Sequence, residues 1–126
     1  MSKTRNIITW ITTALLALVF IFAGFAKVSG QEMMIQSFNL FGLPDWFRII
    51  IGTLEILGGV LLLMPVTTGS AAFGLSIIMI GAISCHVMFT PIADGIAAMV
   101  FFGLLTYIYL TRKSVVPRFL QPYLNG

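Results

Sequence analysis

Four stretches of this chain, Ile7–Ala26, Trp46–Met64, Gly69–Phe89 and Gly95–Leu110, are almost continuously apolar. Each runs for about 16–21 residues, against the ~20 that carry a helix across a hydrocarbon core. They take up most of the 126 residues, so little chain is left to build anything else. Hydrophobic residues make up 59% of the sequence and charged ones 9%, where soluble domains have roughly half and a quarter. A water-soluble fold would expose too much of that surface to stay dispersed. Only helices and closed barrels satisfy the backbone in lipid, and these runs have helical length. The expectation is an all-α integral membrane four-helix bundle, a single domain over residues 1–126.

Charge placement orients the bundle. Lys3 and Arg5 precede the first span, and Arg112, Lys113 and Arg118 follow the last. Cytoplasmic segments carry the excess of Lys and Arg, and four spans return the chain to its starting side, so both termini are expected to be cytoplasmic. Glu32, Asp45 and Asp94 fall in the two outer connections, and the short inner turn Pro65–Thr68 is uncharged. Lys27 and Arg48 are the basic residues on the other side. The net charge of +3 sits in terminal flanks and not in a patch interleaved with aromatics, which argues against nucleic-acid binding. The first apolar run, followed by Gly24-Phe25-Ala26, is longer than the roughly 7–15 residues of a signal-sequence core, so it is expected to stay as a membrane anchor.

The longest connection, Val28–Asp45, carries Met34, Phe38 and Phe41 at helical spacing between Gln31, Glu32, Gln36 and Asn39. This pattern predicts a short amphipathic helix at the outer interface, ending at Gly42. Pro44 and Asp45 suit the first turn of the second span, Trp46 and Phe47 the aromatic belt, and Asp94 the start of the fourth span. Tyr107 and Tyr109 fall where inner-interface anchors belong, and the tail Val115–Gly126 is expected along the inner surface. Gly24, Gly52 and Gly59, with Gly74 and Gly81 in the third span, are the candidate positions for close helix packing. Small residues let helix backbones approach in lipid.

Within the spans, an ionisable side chain costs about 2.5–3.5 kcal/mol or more, so each is a candidate functional residue. Lys27 lies at the outer end of the first span, Glu55 about 13 Å along the second, and His86 one turn short of the outer end of the third. All three can meet in the outer half of the bundle, with Arg48 on the Glu55 face. One reading is structural: Glu55 pairs with Lys27 or Arg48 and locks helix register. The other is functional: the network lines a pocket that handles protons or binds a polar headgroup. Cys85 is the sole cysteine, which excludes an intramolecular disulfide or a Cys-x-x-Cys redox pair. Its neighbour His86 points about 100° away around the helix, so the two do not form a nucleophile–base pair. One histidine supplies neither a bis-histidine haem site nor a typical metal centre, so no intrinsic cofactor or metal is expected.

Phe22-Ala23-Gly24-Phe25-Ala26-Lys27, Phe41-Gly42-Leu43-Pro44, Gly52-x-x-Glu55-x-x-Gly58-Gly59 and Ala82 to His86, in that order and spacing, resemble the DoxX-like family over about residues 15–90. The resemblance implies a four-span protein of the bacterial cytoplasmic membrane, with Lys27, Glu55 and His86 at the family's recurring polar positions. DoxX relatives include a subunit of a thiosulfate:quinone oxidoreductase and a membrane partner of antioxidant proteins, and a distant animal relative is an assembly chaperone. The expected function is an accessory subunit, not a complete enzyme, docking a membrane or peripheral redox partner near the quinone pool. In that role Glu55 and His86 would be proton-active, with Lys27 tuning their charge. The alternatives are an assembly factor for a membrane client and a small oxidoreductase that binds quinone or lipid.

Overall fold

Two glycines in left-handed conformation decide where the first helices stop and how the chain turns between them. The computed structural model describes residues 2–112, apart from the side chains of Ile92 and Asp94. Helix α1, Lys3–Ser29, starts where Ser2 Oγ accepts a hydrogen bond from the Arg5 amide at 3.1 Å. It ends at Gly30, whose φ of 77° lets the Gly30 and Gln31 amides turn back to the carbonyls of Lys27 and Ala26. Helix α2, Glu32–Leu40, closes in the same way: Gly42 has a φ of 75°, and the Gly42 and Leu43 amides bond to Asn39 and Phe38. Pro44 then provides the extended residue ahead of α3, Asp45–Leu62, with Asp45 complementing the helix dipole in the first turn. Thr68 begins α4, Thr68–Phe89, and its hydroxyl is 2.9 Å from the Leu62 carbonyl and 2.8 Å from that of Met64, tying the tight turn between α3 and α4. A 3₁₀ turn, Ile92–Gly95, leads into α5, Ile96–Arg112.

The result is an all-α bundle of four long helices and one short one, with no strand among the described residues. The four apolar runs and the short helix between the first two coincide with helices, except that α3 stops at Leu62, before Met64, Gly95 belongs to the 3₁₀ turn, and α2 ends at Leu40 and not at Gly42. The helices overrun the apolar runs at α1 because hydropathy marks only the greasy part, whereas the helix continues to its caps. The expected surface-lying tail, with Lys113 and Arg118, and a capping side chain at Asp94 lie outside the described residues.

Packing is by pairs: α1 on α3 and α4 on α5, with α3 joining the two pairs through α4. The α1–α3 seam is nearly backbone on backbone. The buried residues of α3 are Arg48, Gly52, Glu55, Gly59 and Leu62, alternating offsets of four and three that keep one face toward α1. A Cβ on Gly52 would lie 2.7 Å from the Gly24 carbonyl oxygen, and one on Gly59 2.8 Å from that of Ala17. Gly74 and Gly81 play no such part, contrary to the sequence reading: a Cβ at either meets no atom within 4 Å, because both point away from the bundle. Gly58 is the glycine that admits α4, with Leu75 packed over it. Leu16, Phe20, Leu62, Leu75, Leu105 and Ile108 form the buried centre.

The outward faces are as apolar as the centre. Leu15 and Phe22 of α1, Leu57 of α3, Ile77 of α4 and Val100 of α5 are all exposed. By length and composition α1 and α4 can each cross a membrane. α5 has 17 residues, and α3 carries Asp45, Arg48 and Glu55 within its 18.

Candidate functional site

The close α1–α3 seam sets the geometry of the polar site. Lys27 lies in the last turn of α1, one turn beyond Gly24, and Glu55 lies on α3 one turn beyond Gly52. With no side chains holding the helices apart, the Lys27 ammonium reaches both carboxylate oxygens, Nζ to Oε1 at 3.0 Å and to Oε2 at 3.3 Å. The Glu55 side chain is 2% exposed and that of Lys27 17%, so the carboxylate is the buried partner and the ammonium is set nearer the edge. A carboxylate buried this deeply among apolar side chains depends on that ammonium, since removing one partner of a buried pair leaves an uncompensated charge.

Arg48 serves a different partner from the one sequence reasoning offered. Its guanidinium donates to the Lys27 carbonyl at the end of α1 and lies 3.7 Å from Asp45 Oδ1, while Glu55 is left to Lys27. Arg48 thus caps α1 from the side and fixes the turn on which Lys27 stands; its buried Nε has no hydrogen-bond partner among the described residues.

His86 arrives from α4 and is held from two sides. The ring of Phe41, just after α2, meets it edge to face at 5.4 Å between centroids. His86 Nδ1 lies 3.0 Å from Thr90 Oγ1, and the Thr90 hydroxyl is 2.9 Å from the His86 carbonyl. A hydroxyl has a single proton. If it goes to the carbonyl, the Thr90 oxygen accepts from Nδ1–H, and Nε2 of the neutral ring is left as a proton acceptor. Gly95 allows this fit, since a Cβ there would come within 3.0 Å of His86 Cβ.

Lys27, Glu55 and His86 line one half-open cavity of about 150 Å³ whose other walls are apolar, among them Phe20, Met79, Ala98 and Phe101. The three predicted residues are therefore brought to one space, with the ion pair direct and His86 contributed by α4. Phe41, Thr90 and Gly95 were not identified as site residues from sequence. The i, i+4 spacing of His86 and Thr90 was a usable signal, but nothing local tells which helix Phe41 covers. A second polar cluster was also missed. Far from the cavity, Arg112 donates to Asn6 Oδ1 at 2.8 Å and stacks over Trp10, and the Tyr107 and Thr9 hydroxyls are 3.0 Å apart. Among the described residues no cluster of three His, Cys, Asp or Glu groups could hold a metal ion.

A small all-helical bundle with a charge pair and a histidine facing a cavity in an apolar interior is the class that this fold and site define. The chain belongs to the DoxX-like family, whose pattern matches residues 11–109 and takes in Lys27, Glu55 and His86. It is 31% identical over 110 residues to CatD of Bacillus subtilis (strain 168), a protein named as a candidate oxidoreductase. That match covers 87% of this chain and 81% of CatD. No solved structure matches the chain.

Proposed function

We propose that the protein is a multi-pass accessory subunit of the bacterial cytoplasmic membrane that seats the head ring of a quinone between Lys27, Glu55 and His86 while a docked redox protein supplies electrons. The observation that carries this reading is the cavity. A dry apolar cavity on the order of 150 Å³ accommodates one benzene-sized ring. This one adds an ammonium, a carboxylate and an imidazole to otherwise hydrocarbon walls. Apolar walls with a few convergent polar groups are what ligand sites for such rings have in common.

The embedding follows from the surface. Exposed Ile, Leu, Val and Phe cover the outer faces of all four long helices, which suits lipid and not water. In this reading α1, α3, α4 and α5 all cross, both termini face the cytoplasm, and the cavity lies in the outer half. α3 tolerates its charges because Arg48 and Glu55 face the bundle and Asp45 lies at its end.

Reducing a quinone to a quinol takes two electrons and two protons. The sequence has one cysteine and one histidine, so the electrons are assigned to the partner and the protons to this chain. The Lys27 ammonium can donate a hydrogen bond to a ring oxygen. His86 Nε2 and the Glu55 carboxylate exchange protons with the medium and with the ring oxygens. The oxidoreductase name of the Bacillus relative is consistent with a redox setting.

The test is a titration of the protein in lipid nanodiscs with a short-tailed quinone. One-to-one saturable binding is expected, weakened about fivefold or more in Glu55→Gln, which removes the charge of the buried carboxylate, and in His86→Phe, which removes a polar partner, each a loss of about 1–3 kcal/mol. Non-saturable partitioning, equal in wild type and both variants, overturns the reading.

A further inference from the structure

α1 and α5 are clasped at one end and parted at the other. At the start of α1, Asn6 accepts from Arg112, Trp10 lies under the same guanidinium, and Thr9 and Arg5 both contact the Tyr107 hydroxyl. Further along, Phe20 and Phe101 meet at 5.9 Å between ring centroids. Past that aromatic contact no side-chain hydrogen bond joins the two helices among the described residues. The positions lining the cavity there are small, Ala23 on α1 and Ala97 and Ala98 on α5. Val19 is 39% exposed and Ala97 is also exposed, although both line the cavity. On this side its wall is open.

The neighbouring helix contacts are close. The glycine seam closes α1 against α3, Leu75 over Gly58 closes α3 against α4, and His86 packs on Gly95 where α4 turns toward α5. Phe41 covers His86 from the α2 end. The opening between α1 and α5 is bordered by alkyl side chains, while Lys27, Glu55 and His86 line the interior. Such an opening offers nothing to a charged solute arriving from water, and it faces the same direction as the exposed apolar flanks of both helices.

The geometry points to a lateral portal between α1 and α5, used by a single-tailed amphiphile whose head enters the cavity while its hydrocarbon chain stays outside, past Val19 and Ala97, in the lipid. Size supports this division. The cavity takes one ring and cannot also take a long chain, so a molecule that fills it from the membrane must keep its tail in the portal. The inference builds on the cavity as a head-group site. It adds the route, the tail and a selecting residue, Ala97, whose methyl group leaves room for the chain.

The test needs no quinone. The full chain is reconstituted in phospholipid vesicles with a single-tailed amphiphile whose compact ring head carries a diazirine and whose tail is a long alkyl chain, photolysed, and the adducts are mapped by mass spectrometry. Wild type is expected to carry adducts inside the cavity, at Glu55 and Met79, as well as on outward residues such as Leu57 and Ile77. Ala97→Trp, which fills the portal, is expected to lose the cavity adducts and keep the outward ones, and the milder Ala97→Leu to reduce them. Val100→Trp, on the exposed face of α5, is expected to keep both sets and so reports that a tryptophan on this helix is tolerated. Cavity adducts that persist in Ala97→Trp, or a wild type labelled only on its outward residues, overturn the portal. Cavity adducts that depend on Ala97 in a protein that fails to bind quinone saturably would uphold the portal and discard the quinone reading.

Discussion

Adding one methyl group at Gly24 should destabilise the protein, whereas the same change at Gly81 should not. A Cβ on Gly24 would sit against the Gly52 carbonyl oxygen, 2.7 Å from Ile56 Cγ1 and 3.0 Å from the Ile56 amide nitrogen. Two of those three atoms are main chain, and a helix backbone cannot rotate out of the way as a side-chain tip can. Overpacking costs typically about 1–3 kcal/mol, and an obstruction made mostly of backbone belongs at the upper end. Replacing glycine in a helix returns up to about 1 kcal/mol, leaving a net loss of about 2 kcal/mol for Gly24→Ala. At Gly81 a Cβ meets nothing within 4 Å, so only the gain remains and Gly81→Ala should be neutral or stabilised by up to about 1 kcal/mol. The assay is reversible unfolding of the detergent-solubilised protein on titration with sodium dodecyl sulfate, followed by circular dichroism. A Gly24→Ala variant as stable as Gly81→Ala would refute the backbone-on-backbone seam, and with it the reason why Lys27 reaches Glu55.

Four further outcomes follow from the same geometry. Lys27→Met leaves the 2%-exposed Glu55 carboxylate without its partner; because Lys27 is 17% exposed the cost belongs at the low end of the buried-pair range, about 3 kcal/mol in the same unfolding assay. The double variant Lys27→Met/Glu55→Leu should recover most of that stability while quinone titration shows no saturable binding; a double variant as unstable as the single one would contradict this. Phe41→Ala removes the ring that covers His86, so diethyl pyrocarbonate should modify His86 faster than in wild type, and an unchanged rate would mean that Phe41 does not shield it. Tyr107→Phe removes the hydrogen bonds to Thr9 and Arg5 and should lower stability modestly with quinone binding unaffected, since this clasp is remote from the cavity; a loss of binding would tie the two ends together.

The helical spans and the short helix between the first two were legible in the sequence because hydropathy and the Gly42–Pro44 break are local signals. Lys27, Glu55 and His86 were legible as a group because depth along three helices is simple arithmetic at 1.5 Å per residue. Which partner each takes was not. Arg48 lies two turns before Glu55 on the same face, yet its long side chain reaches back to the end of α1 and to Asp45, partners that spacing along α3 does not reveal. Nor was the pairing of helices readable. Gly24, Gly52 and Gly59 contact backbone while Gly74 and Gly81 face outward, because a glycine in a helix carries no sign of which neighbour, if any, lies opposite. The cavity is lined by Ala23 and Ala97, and an alanine in a helix carries no sign of whether a neighbour or a space lies beside it.

The most direct measurement is gentle extraction of the chain from its native membranes, followed by native mass spectrometry of whatever travels with it. The account predicts a stoichiometric assembly with a redox protein, retaining a bound quinone that is absent when the chain carries Glu55→Gln. Recovery of the chain with neither quinone nor redox partner, or with a membrane client whose retention is indifferent to Glu55, would contradict it.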